Sequence, residues 1–148
     1  MDVNNFEHQG VDADWFFLCE NNIVFVASGG GKLPCSVLEN WDIISELSSF
    51  FRGLPATCKT EINPNLNEII GSKADANYLR DFVFMAERGL YAFDKTNLNN
   101  FNDTIYHLVA SPKEPLNLDL VPEFLRKKLY KTVYHASLRE TIDITNIL

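Results

Sequence analysis

DWFFLCENNIVFVASGGGKLP, residues 14–34, carries two short apolar runs, a polar turn and a triple glycine that leads toward a helix. Residues 14–19 and 23–28 are rich in aromatic and β-branched side chains, and Glu20-Asn21-Asn22 between them tolerates turn conformations. That pattern predicts a β-hairpin. In its second strand Ile23, Phe25 and Ala27 alternate with Val24, Val26 and Ser28, so both faces are largely apolar and the strand is expected to be covered on both sides. Gly29-Gly30-Gly31 permits a positive φ, and Pro34 suits a first helical turn.

Outward from the hairpin, Val37, Leu38, Trp41, Ile44, Leu47 and Phe51 recur at three- and four-residue steps. They predict one helix over 34–52 that ends at Gly53 and Pro55. Residues 56–62 are a weak strand candidate, and 66–70 have no clear state. A second helix is expected over 73–88, with Ser72 and Asp75 spaced like a capping box and Gly89 after its end. Residues 90–93 and 104–110 should pair as another hairpin across the asparagine-rich turn 97–103. A short helix over 121–129 and strand-like residues at 130–135 follow, with an alternating tail from Thr141. Hairpins joined by helices, without regular strand–helix alternation, point to an α+β fold. The expected sheet is mostly antiparallel, with two main helices and one short one. No repeat or long linker divides the 148 residues, so one domain is expected, with residues 1–13 as a loosely held lead-in.

Charge supplies the main functional clue. The net charge is −7, and residues 1–50 hold eight acids against Lys32 alone, so this part accounts for the whole surplus. Such a field repels nucleic acid and attracts a basic protein. The sole basic cluster, Arg126-Lys127-Lys128 with Lys131, is too short for a nucleic-acid funnel and suits the end of a helix; it could also pair with the acidic half of the same or a neighbouring molecule. No apolar run is long enough for a membrane span and the N-terminus lacks a signal pattern, so cytoplasmic residence is expected. Cys19, Cys35 and Cys58 are odd in number and lack CxxC spacing, which suits reduced, mostly buried thiols.

Catalytic patterns are scarce. SGGGK resembles a phosphate loop, but Val26 and Leu33 stand where a Walker loop needs Gly and Ser/Thr. The glycines therefore read as a strand-to-helix turn. His8, His107 and His135 show no metal-ligand spacing, and Asp12 with Asp14 is too small a set of oxygens for a cation, so no cofactor or metal is expected. An enzyme would need a site assembled from distant residues, with His107, His135 and a cysteine as its members. A regulatory module binding a peptide along a sheet edge is a third class.

The run Asp14-Trp15-Phe16-Phe17, then IVFVASGGG, and the later helix ending FMAERGLYAFD resemble a loose class of small uncharacterised bacterial proteins of toxin-immunity neighbourhoods. The resemblance implies an intracellular, non-enzymatic binding protein and no particular binding residues. From the charge map, the residues expected to meet a basic partner, such as a toxin domain, are Asp12, Asp14 and Glu20 around the hairpin and Glu39, Asp42 and Glu46 on the first helix. A monomer and a homodimer are both compatible with this.

Overall fold

Phe16 faces Phe25 and Phe17 faces Val24 across the first hairpin, whose strands are β1 (Asp14–Cys19) and β2 (Asn22–Ala27). The computed structural model describes residues 9–147. His8 and most of the expected lead-in lie outside the described residues. Residues 9–13 are tied to the glycine turn: Gln9 exchanges side-chain hydrogen bonds with the Leu33 backbone, and the Ala13 N–H donates to Ser28 Oγ at 2.8 Å.

The remaining strands are β3 (Thr60–Ile62), β4 (Tyr91–Lys95), β5 (Ile105–Pro112) and β6 (Thr141–Asp143). They run in the order β1-β2-β4-β5-β3, with β6 also on β5, and β2–β4 is parallel while the other pairings are antiparallel. The fold is α+β with a mixed sheet. A parallel pair needs a crossover, and residues 28–90, with their helices, supply it between β2 and β4.

The helices are α1 (Cys35–Glu39), α2 (Trp41–Arg52), α3 (Leu66–Ile70), α4 (Ala76–Ala86) and α5 (Glu123–Leu129). The single helix expected over 34–52 is broken at Asn40, which has φ −117° and ψ 36°. Its side chain donates to the Ser36 carbonyl at 2.8 Å and takes the acceptor that its own backbone N–H would use in a continuous helix. The break redirects the burial. Val37 and Leu38 of α1 pack on the sheet face that carries Trp15, Phe17, Val24 and Val26, whereas Leu47 and Phe51 of α2 pack on the opposite face with Phe16 and Phe25. The chain thus wraps the β1 edge of the sheet, and β2 is covered on both faces as its two-sided apolar sequence requires.

Two further differences are local. The cap of α4 is Asp75, whose carboxylate accepts the Tyr78 N–H at 2.8 Å, so the helix starts after the expected Ser72. Residues 130–135 form bridges in place of a full strand: Leu18 N–H donates to Thr132 O at 2.9 Å and Tyr134 N–H to Leu18 O at 2.8 Å. That segment covers part of the outer edge of β1. Among the described residues no helix is long and apolar enough to cross a membrane.

Candidate functional site

Sheet register brings together side chains that the sequence keeps far apart. Asp14 pairs with Ala27, Ala27 with Asp94, and Asp94 with His107, so one row crosses β1, β2, β4 and β5. Alternation places the row on the face that α4 covers, alongside Phe16 and Phe25. Ala27 is the only small member of the row. Above it opens a cleft of about 260 Å³ lined by Asp14, Phe25, Ala27 and, from α4, Asn77, Tyr78, Arg80, Asp81 and Phe82.

A hydrogen-bonded chain closes one wall of this cleft. The Tyr78 hydroxyl donates to Asp94 Oδ2 at 2.7 Å, and the Tyr78 hydroxyl oxygen lies 3.1 Å from His107 Nε2. Since the Tyr78 proton is committed to the carboxylate, its oxygen accepts from His107 Nε2–H, which leaves Nδ1 to accept the Thr96 hydroxyl at 2.9 Å. The order Thr96→His107→Tyr78→Asp94 satisfies every member with a neutral imidazole. Burial lowers the His107 pKa to about 4, consistent with that state. Burial also raises Tyr78 well above its ordinary value, with the neighbouring Asp94 charge adding to the effect.

Two carboxylates of the row, Asp14 and Asp94, are shifted upward. Desolvation raises Asp94 and Asp14, and Arg52 partly offsets the rise at Asp14 through a 3.0 Å ion pair. Asp12 adds a like charge to both. Asp81, exposed on α4, has no ion pair among the described residues. The cleft is floored by alanine, with Tyr78 and Phe82 as aromatic walls and Asp14, Asp81 and Arg80 as its charged lining.

Behind the opposite face of β4, Lys95 is 1% exposed and donates from Nζ to the Asp103 carbonyl. Its stem lies under the glycine turn, where a Cβ on Gly31 would come within 2.9 Å of Lys95 Cδ and Cε. Gly29 has φ 56° and Gly30 φ 76°, so the turn needs glycine for its backbone as well as for this close approach. Its structural duty is pinning β2, the residue 9–13 segment and the 97–103 loop together.

The six expected partner residues do not form one patch. Asp14 lines the cleft with Asp81, and Asp12 lies near Asp14 and Asp94 outside its lining. Glu20 occupies the hairpin turn at the other end of β1, roughly 17–20 Å away along a six-residue strand. Asp42 and Glu46 are exposed one turn apart on α2, and Glu39 lies before the break, beside Cys35, Asn40 and Lys131. The acidic surplus of residues 1–50 does not extend to Asp81, Asp94 and Tyr78, which α4 and β4 deliver from residues 76–95. A carboxylate at the end of an apolar strand, as in YAFDK, was the available signal for Asp94.

The candidate members of a distant-residue enzyme site remain apart. His107 is buried in the chain just described, while His135 is exposed. Of the three cysteines expected to be mostly buried only Cys19 is, donating to the Ala136 carbonyl at 3.1 Å; Cys35 is exposed at the start of α1, and Cys58 is half-buried and donates to the Lys59 carbonyl. No hydrogen bond joins a histidine to a cysteine among the described residues. Among these residues, too, no group of three or more His, Cys, Asp or Glu side chains is arranged to hold a metal ion. Comparison with known proteins finds no matching family model, no matching curated protein and no matching solved structure.

Proposed function

We propose that this chain is a non-enzymatic, acidic, cytoplasmic binding protein that docks a basic protein partner at the Asp14 end of its sheet. The observation that supports the reading is the recess over Ala27, lined by Asp14 and Asp81 with Arg80, where the nearby Asp12 and Asp94 bring the carboxylates at this end of the sheet to four against Arg80 and the Arg52 that pairs with Asp14. Carboxylates in a partly desolvated recess exert more field than the same charges on an open face, which favours a cation and steers its approach. Tyr78 and Phe82 add aromatic faces suited to a cation's stem. Glu39, Asp42 and Glu46 lie outside the recess and contribute long-range attraction, which ionic strength screens.

Within this reading the partner is a basic toxin domain, which the chain occludes as an immunity protein would. Support for that step is the acidic surplus and the resemblance of the hairpin and α4 stretches. The test is co-expression with the product of the neighbouring gene. Co-purification, together with rescue of growth where that product is toxic, is the expected result. Failure to bind or to rescue removes the immunity reading, and the recess then has to be tested against other basic proteins.

A further inference from the structure

The recess over Ala27 holds one charge that the docking of a basic partner does not use. Arg80, exposed on α4, is part of its lining and repels a partner's cation. Its guanidinium donates to Asn77 Oδ1 and has no carboxylate partner among the described residues, so most of its five donors stay open. Because Asn77 Oδ1 takes that bond, the Asn77 Nδ2 donors are left for a ligand.

The next residue carries the opposite charge. Asp81 lines the same recess and also lacks an ion pair among the described residues. Consecutive helical positions do not face each other, so Arg80 and Asp81 do not neutralise one another, although their Cα atoms are only about 3.8 Å apart. On β1, Asp14 gives Oδ2 to Arg52 at 3.0 Å, and its Oδ1 takes no hydrogen bond among the described residues. Two donor groups and two carboxylates therefore edge one small space. The rest of the lining is apolar: Phe25, Ala27 and Phe82, beside the ring of Tyr78, whose hydroxyl is committed to Asp94.

We infer that this recess also binds a free α-amino acid with an apolar side chain, its carboxylate on Arg80 and Asn77 and its ammonium between Asp81 and Asp14. A cavity of about 260 Å³ lies below the roughly 300–1,000 Å³ of sites for drug-sized ligands, so the ligand is small. The opposite charges of the site are anchored on neighbouring backbone positions, which matches a ligand whose own charges are a few bonds apart. A bare amine meets Arg80 and leaves its donors unused, and a bare carboxylate meets Asp14 and Asp81. Only the zwitterion pairs both, with charge-assisted hydrogen bonds at each end. The small Ala27 floor, with Phe25 and Phe82, then receives the side chain. This goes beyond the docking of a basic partner, and since both fill one space, each excludes the other.

Isothermal titration calorimetry and thermal shift on the full chain test this with L-leucine and its single-charge analogues isoamylamine and isocaproate. Wild type should bind leucine saturably, with a rise in melting temperature, and each analogue at least about tenfold more weakly, because each leaves charged groups unpaired. Arg80→Gln should abolish the preference for leucine over isoamylamine, and Asp81→Asn the preference over isocaproate. Both positions are exposed, and an unchanged melting temperature of the free variant certifies each fold. No heat and no thermal shift with leucine at millimolar concentration overturns the inference, as does isoamylamine binding as tightly as leucine. An arginine-rich peptide separates the two readings of the recess. Peptide binding without leucine binding sinks the amino-acid site alone, whereas leucine binding without peptide binding supports that site and counts against the docking.

Discussion

Asp14 and Asp94 flank Ala27 from either side in one cross-strand row, roughly 9–10 Å apart at their Cα atoms, as two strand spacings require. The methyl group between them is what leaves the recess open. Replacing Ala27 with Leu places a larger apolar side chain in a space of about 260 Å³ that it can occupy without overpacking. Thermal or denaturant unfolding should change by less than about 1 kcal/mol, while affinity for a basic partner should fall at least about tenfold because the recess is filled.

Tyr78 is the link between the recess and the buried His107. Tyr78→Phe removes the donor to Asp94 and the acceptor for His107 Nε2–H at once, so two largely buried groups lose a partner. An unmade buried hydrogen bond costs about 1–3 kcal/mol, and urea unfolding of this variant should show a loss of about 2–3 kcal/mol. Loss of under about 0.5 kcal/mol would mean that water replaces the hydroxyl freely.

Acid sensitivity follows from the same chain. The folded pKa of His107 is depressed to about 4, below the ordinary value of about 6.5. The neutral imidazole therefore contributes its full stability above pH about 6.5 and loses it as pH falls from there toward 4. Asp14 and Asp94 act in the opposite sense: their raised pKa values favour proton uptake in the fold, so their protonation adds stability as pH falls. Stability measured between pH 7 and 4 should drop by roughly 2–3 kcal/mol from the histidine, and His107→Gln should flatten that slope even if its stability at pH 7 is lower.

Glu20 has φ 58° in the two-residue turn between β1 and β2, a left-handed conformation that is unfavourable for a residue with a Cβ. Glu20→Gly should raise unfolding stability by about 0.5–1 kcal/mol, as relief of strain outweighs the added freedom of the unfolded chain. Binding of a basic partner at the recess should be unaffected, since Glu20 lies at the other end of β1. A loss of affinity would place the partner along the whole hairpin.

What the sequence made legible was local. Both hairpins, the two-sided burial of Ile23 to Val26 and the placement of the glycine turn follow from residue periodicity and turn chemistry within short windows. The break at Asn40 did not, because the apolar steps continue through it; only the need for Val37 and Leu47 to reach opposite faces of the sheet requires it. The recess was legible in half. Asp12 and Asp14 stand out by charge, but their meeting with Asp94, Tyr78 and Asp81 depends on the parallel β2–β4 pairing and the docking of α4. Neither leaves a mark in any single stretch of sequence. Charge counting likewise grouped Glu20, Asp42 and Glu46 with Asp14, although the fold separates them.

The most direct test of the recess is the dissociation constant of a basic partner captured by co-expression, measured for wild type and for the Asp12→Asn, Asp81→Asn double variant. Both side chains are exposed and Asp81 has no ion pair among the described residues, so the fold should persist. The predicted result is a loss of affinity of at least about tenfold, with a shallower salt dependence, against a smaller effect, mostly on association rate, for Glu39→Gln, Asp42→Gln and Glu46→Gln combined. Unchanged affinity in the double variant, with the full loss in the triple, would contradict the assignment and move the partner onto α2.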